Sequence, residues 1–424
     1  MRRLVLYRAP RGTTDILPDE QMYWRYIEAK AETMGHRFGY GRLETPMFEK
    51  TSLFVRGVGQ GTDIVEKEMY SFQDRGGDSM TLRPEGTAPV CRAYLEHGMR
   101  NLPQPVRLYY FAPAFRYERP QAGRYRQHHQ FGVEALGDDD PSIDAEIVEM
   151  AWQLMKDLDL KNLTLLINSI GDQKCRPSYL QHLKGYYSPK TEHLCPDCKE
   201  RLQRNPLRLL DCKQLNCITL ARDAPKTVDH LCIECLEHWQ KLLLYLRGLD
   251  IPFTVEPKLV RGLDYYTRTV FEIQPPEGGG QSTICAGGRY DGLIEELDGH
   301  STPGIGFAAG MERMVLNLKR QSVPVPQGHA VTTVVTYLGD DAKVMAISLA
   351  SRLRSNGIGA ILAPAGRSLR AQLRYTHSLG IPYALILGED EIKRNSIIIR
   401  DMTNAEQREV PLQSIANELG NQNR

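Results

Sequence analysis

At 424 residues the chain is long enough for two or three domains with sizeable cores. A quarter of the residues are charged, yet the formal net charge is only +1. That balance excludes a globally basic nucleic-acid coat and leaves only local patches for such contacts.

No apolar run approaches the length of a membrane span. The opening MRRLVLYRAPRG is basic, but its apolar part is too short for a signal peptide, and Asp15 soon ends the acid-poor run. Nine Cys without a secretion signal point to a reducing, cytoplasmic setting, where thiols bind metal more often than they cross-link. TTDILP (Thr13 to Pro18) reads as a turn into a helix on which Met22, Tyr23, Tyr26, Ile27 and Met34 recur at helical spacing. RLETPMFEK (Arg42 to Lys50) follows as a short extended segment that Pro46 confines to an edge or a bulge. A long helix feeding an edge strand suits either a subunit interface or ordinary core packing. In MTLRPEGTAPVCRAYLEHG (Met80 to Gly98), Thr87 reads as an N-cap with Pro89 in the first helical turn. Glu85 then sits in a tight turn before that helix, either as a solvated carboxylate or as an acceptor for a ligand's ammonium group.

VRLYYFAPAF (Val106 to Phe115) is rich in β-branched and aromatic residues and reads as a strand; QHHQFGVEALG (Gln127 to Gly137) extends again. Between them, Arg119 to Arg126 holds a Pro, a Gly and three Arg, which suits a mobile hairpin loop. Gln130, Gly132 and Glu134 share one strand face, and Gly132 is expected to let a ligand lie close to the backbone. Arg116 and Glu118 close the incoming strand, where an Arg fork can grip a phosphate. A basic surface hairpin with solvated charges is the competing reading, but it leaves the Gln-Gly-Glu face unexplained. The segment reads as a site.

Asp140 and Pro141 open a further helix with Ile147, Ala151, Leu154 and Leu158 on one stripe, and LTLLIN (Leu163 to Asn168) is a buried strand. From Cys175 to about Pro257 the texture changes to helices with Cys195 and Cys198 (CPDC), Cys212, Cys217, and Cys232 and Cys235 (CIEC). Two C-x-x-C pairs point to tetrahedral thiolate zinc; buried free thiols are the alternative. LVRGLDYYTRTVFEI (Leu259 to Ile273) places Arg261 in a turn with Tyr265 and Tyr266 behind it. ICAGGRYDGLIEEL adds a Gly-rich turn, and GIGFAAGMERMVLNL (Gly304 to Leu318) a Gly-rich strand entering a helix with Arg313 in its first turns. Two Arg-bearing junctions and an Arg-bearing hairpin together suggest a triphosphate site.

QSVPVPQG (Gln321 to Gly328) is a Pro-rich linker. Beyond it strands and helices alternate, as in a small α/β domain with a mostly parallel sheet. Its second helix carries Arg367, Arg370, Arg374 and His377, a basic face that is either solvated or able to track a nucleic-acid backbone.

Over essentially its whole length the chain resembles class II aminoacyl-tRNA synthetases, and within them the histidyl-tRNA synthetase family. The helix before Pro46, the FRYE stretch with its strand, and GIGFAAGMERMVL look like the three class motifs; RGLDYYTRTVFEI, TLRPEGT and AGGRYDG are similar to the histidine-specific set. The resemblance implies an α+β catalytic domain on an antiparallel sheet (1–174 and 258–320), an inserted helical subdomain (175–257), a linker (321–328) and a C-terminal α/β anticodon-binding domain (329–424). It implies activation of L-histidine by ATP with Mg2+, transfer to tRNA(His), and a cytoplasmic homodimer. By the same resemblance Arg116, Glu118, His128 and Arg313 meet ATP, and Arg261 meets the α-phosphate. Glu85, Gly86, Thr87 and Gln130 hold the amino end of histidine; Glu134 and Tyr265 meet its imidazole, and Tyr266 closes the pocket. Apart from the resemblance, the C-x-x-C spacing assigns a structural Zn2+ to Cys195, Cys198, Cys232 and Cys235, with Cys212 and Cys217 as a substitute for one pair. The chain departs from the family pattern at His128, where many members have Phe supporting the adenine. An ordinary His there would titrate near neutral pH and make ATP binding pH-dependent. A catalytically inactive regulatory subunit of histidine biosynthesis shares the fold and is the alternative, although such relatives usually lack the RGLDYY turn and the C-terminal domain. A synthetase for another amino acid would lack the Glu134 and Tyr265 pair.

Overall fold

The computed structural model describes residues 7–59, 62–121, 123–276, 283–326 and 331–420, and the chain divides into two units between Val325 and Pro326. Positions 327 and 328 of the expected linker, and 329 and 330 beyond it, lie outside the described residues.

In the first unit the chain runs α1 (Gln21–Arg37), β1 (Gly41–Arg42), β2 (Phe48–Lys50), α2 (Thr51–Val58), β3 (Tyr70–Gln73), β4 (Ser79–Leu82) and α3 (Thr87–Glu96). The central hairpin β5 (Val106–Phe115) and β6 (Gln127–Leu136) leads to α4 (Pro141–Asp157) and β7 (Thr164–Ser169). The insertion supplies α5 (Arg176–Tyr187), α6 (Pro196–Arg204), α7 (Leu215–Ala221) and α8 (Ile233–Gly248). The chain returns through β8 (Thr254–Val255), β9 (Thr267–Gln274), β10 (Cys285–Arg289), α9 (Leu293–Glu296), β11 (Gly304–Gly310) and α10 (Met311–Arg320). One eight-stranded sheet, ordered β1-β5-β6-β11-β10-β9-β7-β8, is antiparallel except at its two edges, where β1 joins β5 and β8 joins β7 in parallel. Thr254 and Val255, inside the range expected for the insertion, thus belong to this sheet. A second, three-stranded sheet is ordered β2-β4-β3.

Strand alternation sorts the central hairpin into two faces. Tyr109, Phe131, Val133 and Ala135 enter the large core under α1, α4, α8 and α10, whereas Tyr110 and Ala112 belong to a second core shared with the insertion. The apolar stripe of α1 (Trp24, Ile27, Ala31, Met34) goes to core packing. Helix α4 starts as expected, with Asp140 accepting from the Ser142 amide and Pro141 in the first turn. Its Asp144 is fully buried and binds Arg289 of β10, His238 of α8 (2.7 Å) and the Thr269 hydroxyl of β9 (2.6 Å). Burial works to raise the Asp144 carboxyl, but Arg289 and His238 hold it down at about 2.

The second unit runs β12 (Thr333–Tyr337), α11 (Asp340–Ser355), β13 (Ala360–Leu362), α12 (Leu369–Ser378), β14 (Tyr383–Leu387), α13 (Glu389–Lys393), β15 (Ser396–Asp401), β16 (Gln407–Pro411) and α14 (Ile415–Gly420). The sheet, ordered β13-β12-β14-β15-β16, is parallel in its first three strands and antiparallel in the rest. The expectation of a mostly parallel sheet missed β16, because QREVP is polar and buries only Val410. Gln372 bonds both backbone groups of Tyr337 and so fixes α12 on β12; Arg370, Arg374 and His377 of α12 are exposed, whereas Arg367, expected on this helix, precedes its Ser368 cap and is exposed there.

Candidate active site

The site lies on the face of the large sheet opposite the α1–α4 core, in a cleft of about 780 Å³. That volume suits a ligand of nucleotide size. At its floor, Tyr110 of β5 lies directly across from Gly132 of β6. A Cβ at Gly132 would stand 2.1 Å from the Tyr110 ring, and one at Gly86 would stand 2.3 Å from it. The space left by Gly132 is therefore filled by Tyr110 rather than open to a ligand, which corrects the expectation from sequence. Tyr110 donates to Glu134 Oε1 (3.1 Å), as does the Thr87 hydroxyl (2.8 Å), and Tyr290 donates to Oε2. Gly306 of β11 pairs with Glu134, and a Cβ there would sit 1.9 Å from Oε2. Burial pushes the Glu134 carboxyl up to about 8, against the pull of the three hydroxyls.

Glu85 is buried and not a solvated turn carboxylate. Its two oxygens accept from the amides of Thr87 (2.6 Å) and Ala88 (2.9 Å), so Glu85 satisfies the open end of α3. Thr87 is the first helical residue, not the N-cap, because its hydroxyl is committed to Glu134. Beside them Gln130 presents a buried Oε1 with no hydrogen-bond partner among the described residues. A buried acceptor in that state is costly until a donor arrives.

Six arginines line the same cleft, among them the expected Arg261, Arg116 and Arg313. Arg261 pairs with Glu272, which also accepts from Thr283 (2.8 Å) and Gln274 (3.0 Å). Arg116 donates Nε to the Pro84 carbonyl (2.8 Å) and has a terminal nitrogen 4.0 Å from Glu118; Glu118 meets Arg124 at 3.2 Å. Arg313 donates Nε to the Gly123 carbonyl (3.0 Å) and a terminal nitrogen to the Thr283 carbonyl. Tyr265 and Tyr266 flank the cleft with ring centroids 4.7 Å apart, and Tyr265 meets the Tyr290 ring edge-on at 5.7 Å. Tyr110, Tyr290 and Glu272 escaped the sequence reading. Tyr110 had a usable signal, since it sits across the hairpin from the Gln-Gly-Glu face; Tyr290 had only its place in AGGRYDG.

The two histidines of RQHHQ part by strand parity. His128 faces the cleft, whereas His129 packs edge-on against Trp24 (5.0 Å) and bonds Glu312. Burial, with the charges of Arg116 and Arg313 beside it, pushes His128 down to about 3. It stays neutral throughout the ordinary pH range, which removes the pH dependence expected of a normal imidazole. Phe131, of the opposite parity, is fully buried in the core and offers no face to the cleft.

The thiols regroup. Cys195 and Cys198 lie with Cys212 and Cys217, whereas Cys232 and Cys235 lie with Cys175 and Asp172. The expected set of Cys195, Cys198, Cys232 and Cys235 is therefore not brought together, because each C-x-x-C opens a different helix, α6 or α8.

A family model described as "Histidyl-tRNA synthetase" matches residues 12–173 and 199–314, and one described as "Anticodon binding domain" matches 332–422. A protein of Dehalococcoides mccartyi (strain ATCC BAA-2266 / KCTC 15142 / 195) named histidine–tRNA ligase is 53% identical over 417 residues, covering 98% of this chain and all of its own. The structure of apo histidyl-tRNA synthetase from S. aureus is similar with a TM-score of 0.81 at 38% identity, over 97% of this chain and 99% of that one. A Bacillus halodurans protein described as an ATP phosphoribosyltransferase regulatory subunit/histidyl-tRNA synthetase shares the fold (TM-score 0.65, 23% identity, 90% of this chain and 98% of that one).

Proposed function

The chain belongs to the histidyl-tRNA synthetase family and is a histidine–tRNA ligase, an ATP-dependent aminoacyl-tRNA ligase, and on that footing we propose how its cleft divides the work. The histidine carboxylate attacks the α-phosphate of ATP, bound as its Mg2+ complex, to give histidyl-adenylate and pyrophosphate. The nucleophile is already ionised, so no general base is needed, and the protein supplies positioning and charge stabilisation. Arg261 meets the α-phosphate beside the histidine, exchanging its contact with Glu272 for one with the reacting group. Arg116 and Arg313 hold the other phosphates, with Glu118 orienting the Arg116 side of the hairpin. His128 supplies a flat neutral face to the adenine, with the Arg313 guanidinium stacked opposite.

The Glu134 carboxyl meets the imidazole, whose two nitrogens need different partners when neutral. Tyr110, Thr87 and Tyr290 hold that carboxyl in place, and Tyr265 and Tyr266 wall the pocket. Gln130 Oε1 accepts from the histidine ammonium, with Glu85 and Gly86 shaping the turn beneath it. The observation that carries this reading is a hydroxyl-bound Glu134 and a Gln130 oxygen unpartnered among the described residues, in one cleft with Arg261, Arg116 and Arg313. A histidine-sensing protein without ligase activity has no use for Arg261 beside two further phosphate-facing arginines, and that alternative is not favoured.

We further propose that the second unit reads the anticodon of tRNA(His), that the hairpin loop 119–126 approaches its acceptor end, and that the protein works as a cytoplasmic homodimer. Zn2+ is proposed for the regrouped thiols. Among the described residues no helix is long and apolar enough to cross a membrane. ATP–pyrophosphate exchange tests the assignment of the cleft. Arg261→Ala is expected to lower histidine-dependent exchange by about 10²–10³ with unchanged melting, since that is the usual effect of removing one donor aimed at developing charge. Exchange within tenfold of wild type would remove Arg261 from the reaction.

A further inference from the structure

We propose that this chain holds two separate structural Zn2+ ions: one bound by Cys195, Cys198, Cys212 and Cys217, the other by Cys175, Cys232, Cys235 and Asp172. In each group the candidate ligand atoms all lie within 4.8 Å of one another. Four sulfurs at the usual zinc–sulfur distance form a tetrahedron with edges of about 3.8 Å. Cys195 and Cys212 have their sulfurs 3.8 Å apart. Where one ligand is a carboxylate oxygen, the oxygen–sulfur edge shortens to about 3.6 Å. Asp172 Oδ1 stands 3.5 Å from the Cys175 sulfur and 4.0 Å from that of Cys232.

The two groups share one local design. CPDC and CIEC each open a helix, with the first Cys as N-cap in nearly the same conformation: φ −66°, ψ 161° at Cys195 and φ −68°, ψ 167° at Cys232. The second Cys of each pair then falls in the first helical turn. Each pair meets a second pair from elsewhere in the chain, Cys212 with Cys217 or Asp172 with Cys175. A backbone amide also points at a sulfur in each group: Cys195 N to Cys217 Sγ and Asp172 N to Cys175 Sγ, both 3.4 Å. Such amide-to-sulfur bonds support metal thiolates from outside the ligand set. Arg268, 3.8 Å from Asp172, offsets the negative charge of the second group.

Simple apolar burial does not account for this gathering. All nine cysteines are free thiols, and seven of them fall into the two groups. Cys91 and Cys285 are the remaining two, and both are buried. Thiolates with a carboxylate in tetrahedral array select zinc over the harder divalent cations. The first ion would fix Asp211 to Lys213, which line the active-site cleft, against the start of α6. The second would tie the loop after β7 to the start of α8.

The test is elemental analysis of the full-length, tag-free protein. Two zinc per chain is expected in the wild type, and about one in each of Cys217→Ser and Cys175→Ser. Wild-type content well under one zinc overturns both sites. A zinc content that Cys175→Ser leaves at the wild-type value overturns the second site, and one that Cys217→Ser leaves at the wild-type value overturns the first. Should the variants fail to fold, Co2+ titration of chelator-treated wild type decides. Two equivalents giving the visible bands of tetrahedral cobalt thiolate support the proposal, and none overturns it.

Discussion

Glu134 and Gln130 are groups whose cost in the empty cleft a ligand can offset. The Glu134 carboxyl is raised to about 8 in the fold, against roughly 4.3 in an unfolded chain. The folded protein therefore keeps a proton that the unfolded chain releases between those values. Its favourable contribution is fully present at the acid end and is lost as pH rises towards 8. Wild-type stability should fall by up to about 1.4 kcal/mol per pH unit from this group between pH 5.5 and 7. Glu134→Gln should flatten that slope in denaturant midpoints, and should raise the KM for histidine far more than that for ATP. Identical slopes in the two proteins would mean that Glu134 is ionised at neutral pH. At His128, held near pH 3, the expectation is the reverse. The KM for ATP should be flat from pH 6 to 8, and His128→Phe should match or improve ATP binding, because base stacking is worth roughly 1–3 kcal/mol and favours the larger ring. A wild-type KM that climbs below pH 7 while that of His128→Phe stays flat would show that His128 does titrate there.

At the scale of elements, Arg289 ties α4, β10 and, through Asp144, α8 into one block. It is fully buried and lies in AGGRYDG, beside Tyr290, which reaches Glu134. Removing one partner of a buried pair leaves an uncompensated charge, so Arg289→Met should cost about 3–5 kcal/mol in unfolding free energy. Arg261→Ala, by contrast, should leave melting unchanged. Asp144 is depressed to about 2, so its contribution is present above roughly pH 4 and is lost as pH falls through 2. These elements were unequally legible in the sequence. The central hairpin, α4 with its Asp140 cap, and the turn carrying Arg261 follow from patterning and capping chemistry, which are local. The partners of Glu134 are not local: Thr87 opens α3, Tyr110 lies on β5 and Tyr290 follows β10, and only tertiary packing brings them together. The four-thiol set of the two C-x-x-C pairs failed for the same reason, since spacing identifies each pair but not its distant partner; the substitute pair Cys212 and Cys217 does lie with Cys195 and Cys198.

At the scale of the molecule, adenylate formation is proposed for the first unit and tRNA reading for the second, so each should be open to weakening without the other. The basic face of α12 is exposed and belongs to the second unit, far in sequence from the cleft residues. If it tracks the tRNA backbone, Arg374→Ala should weaken tRNA(His) binding and reduce the slope of log affinity against log salt by about 1. ATP–pyrophosphate exchange, which needs no tRNA, should be untouched. An unchanged salt slope would return Arg374 to the solvated surface.

Tyr110 is wedged between Gly86 and Gly132, with no room for a Cβ on either side. This has a consequence for how the pocket can change over time. Any single replacement of either glycine collides with the ring, and loss of the ring leaves a hole under Glu134. The three positions are thus mutually locked, and a lineage can leave this arrangement only by passing through damaged intermediates or by changing several codons together. A library meant to retarget the pocket should vary all three at once, because scanning them singly will return only broken proteins.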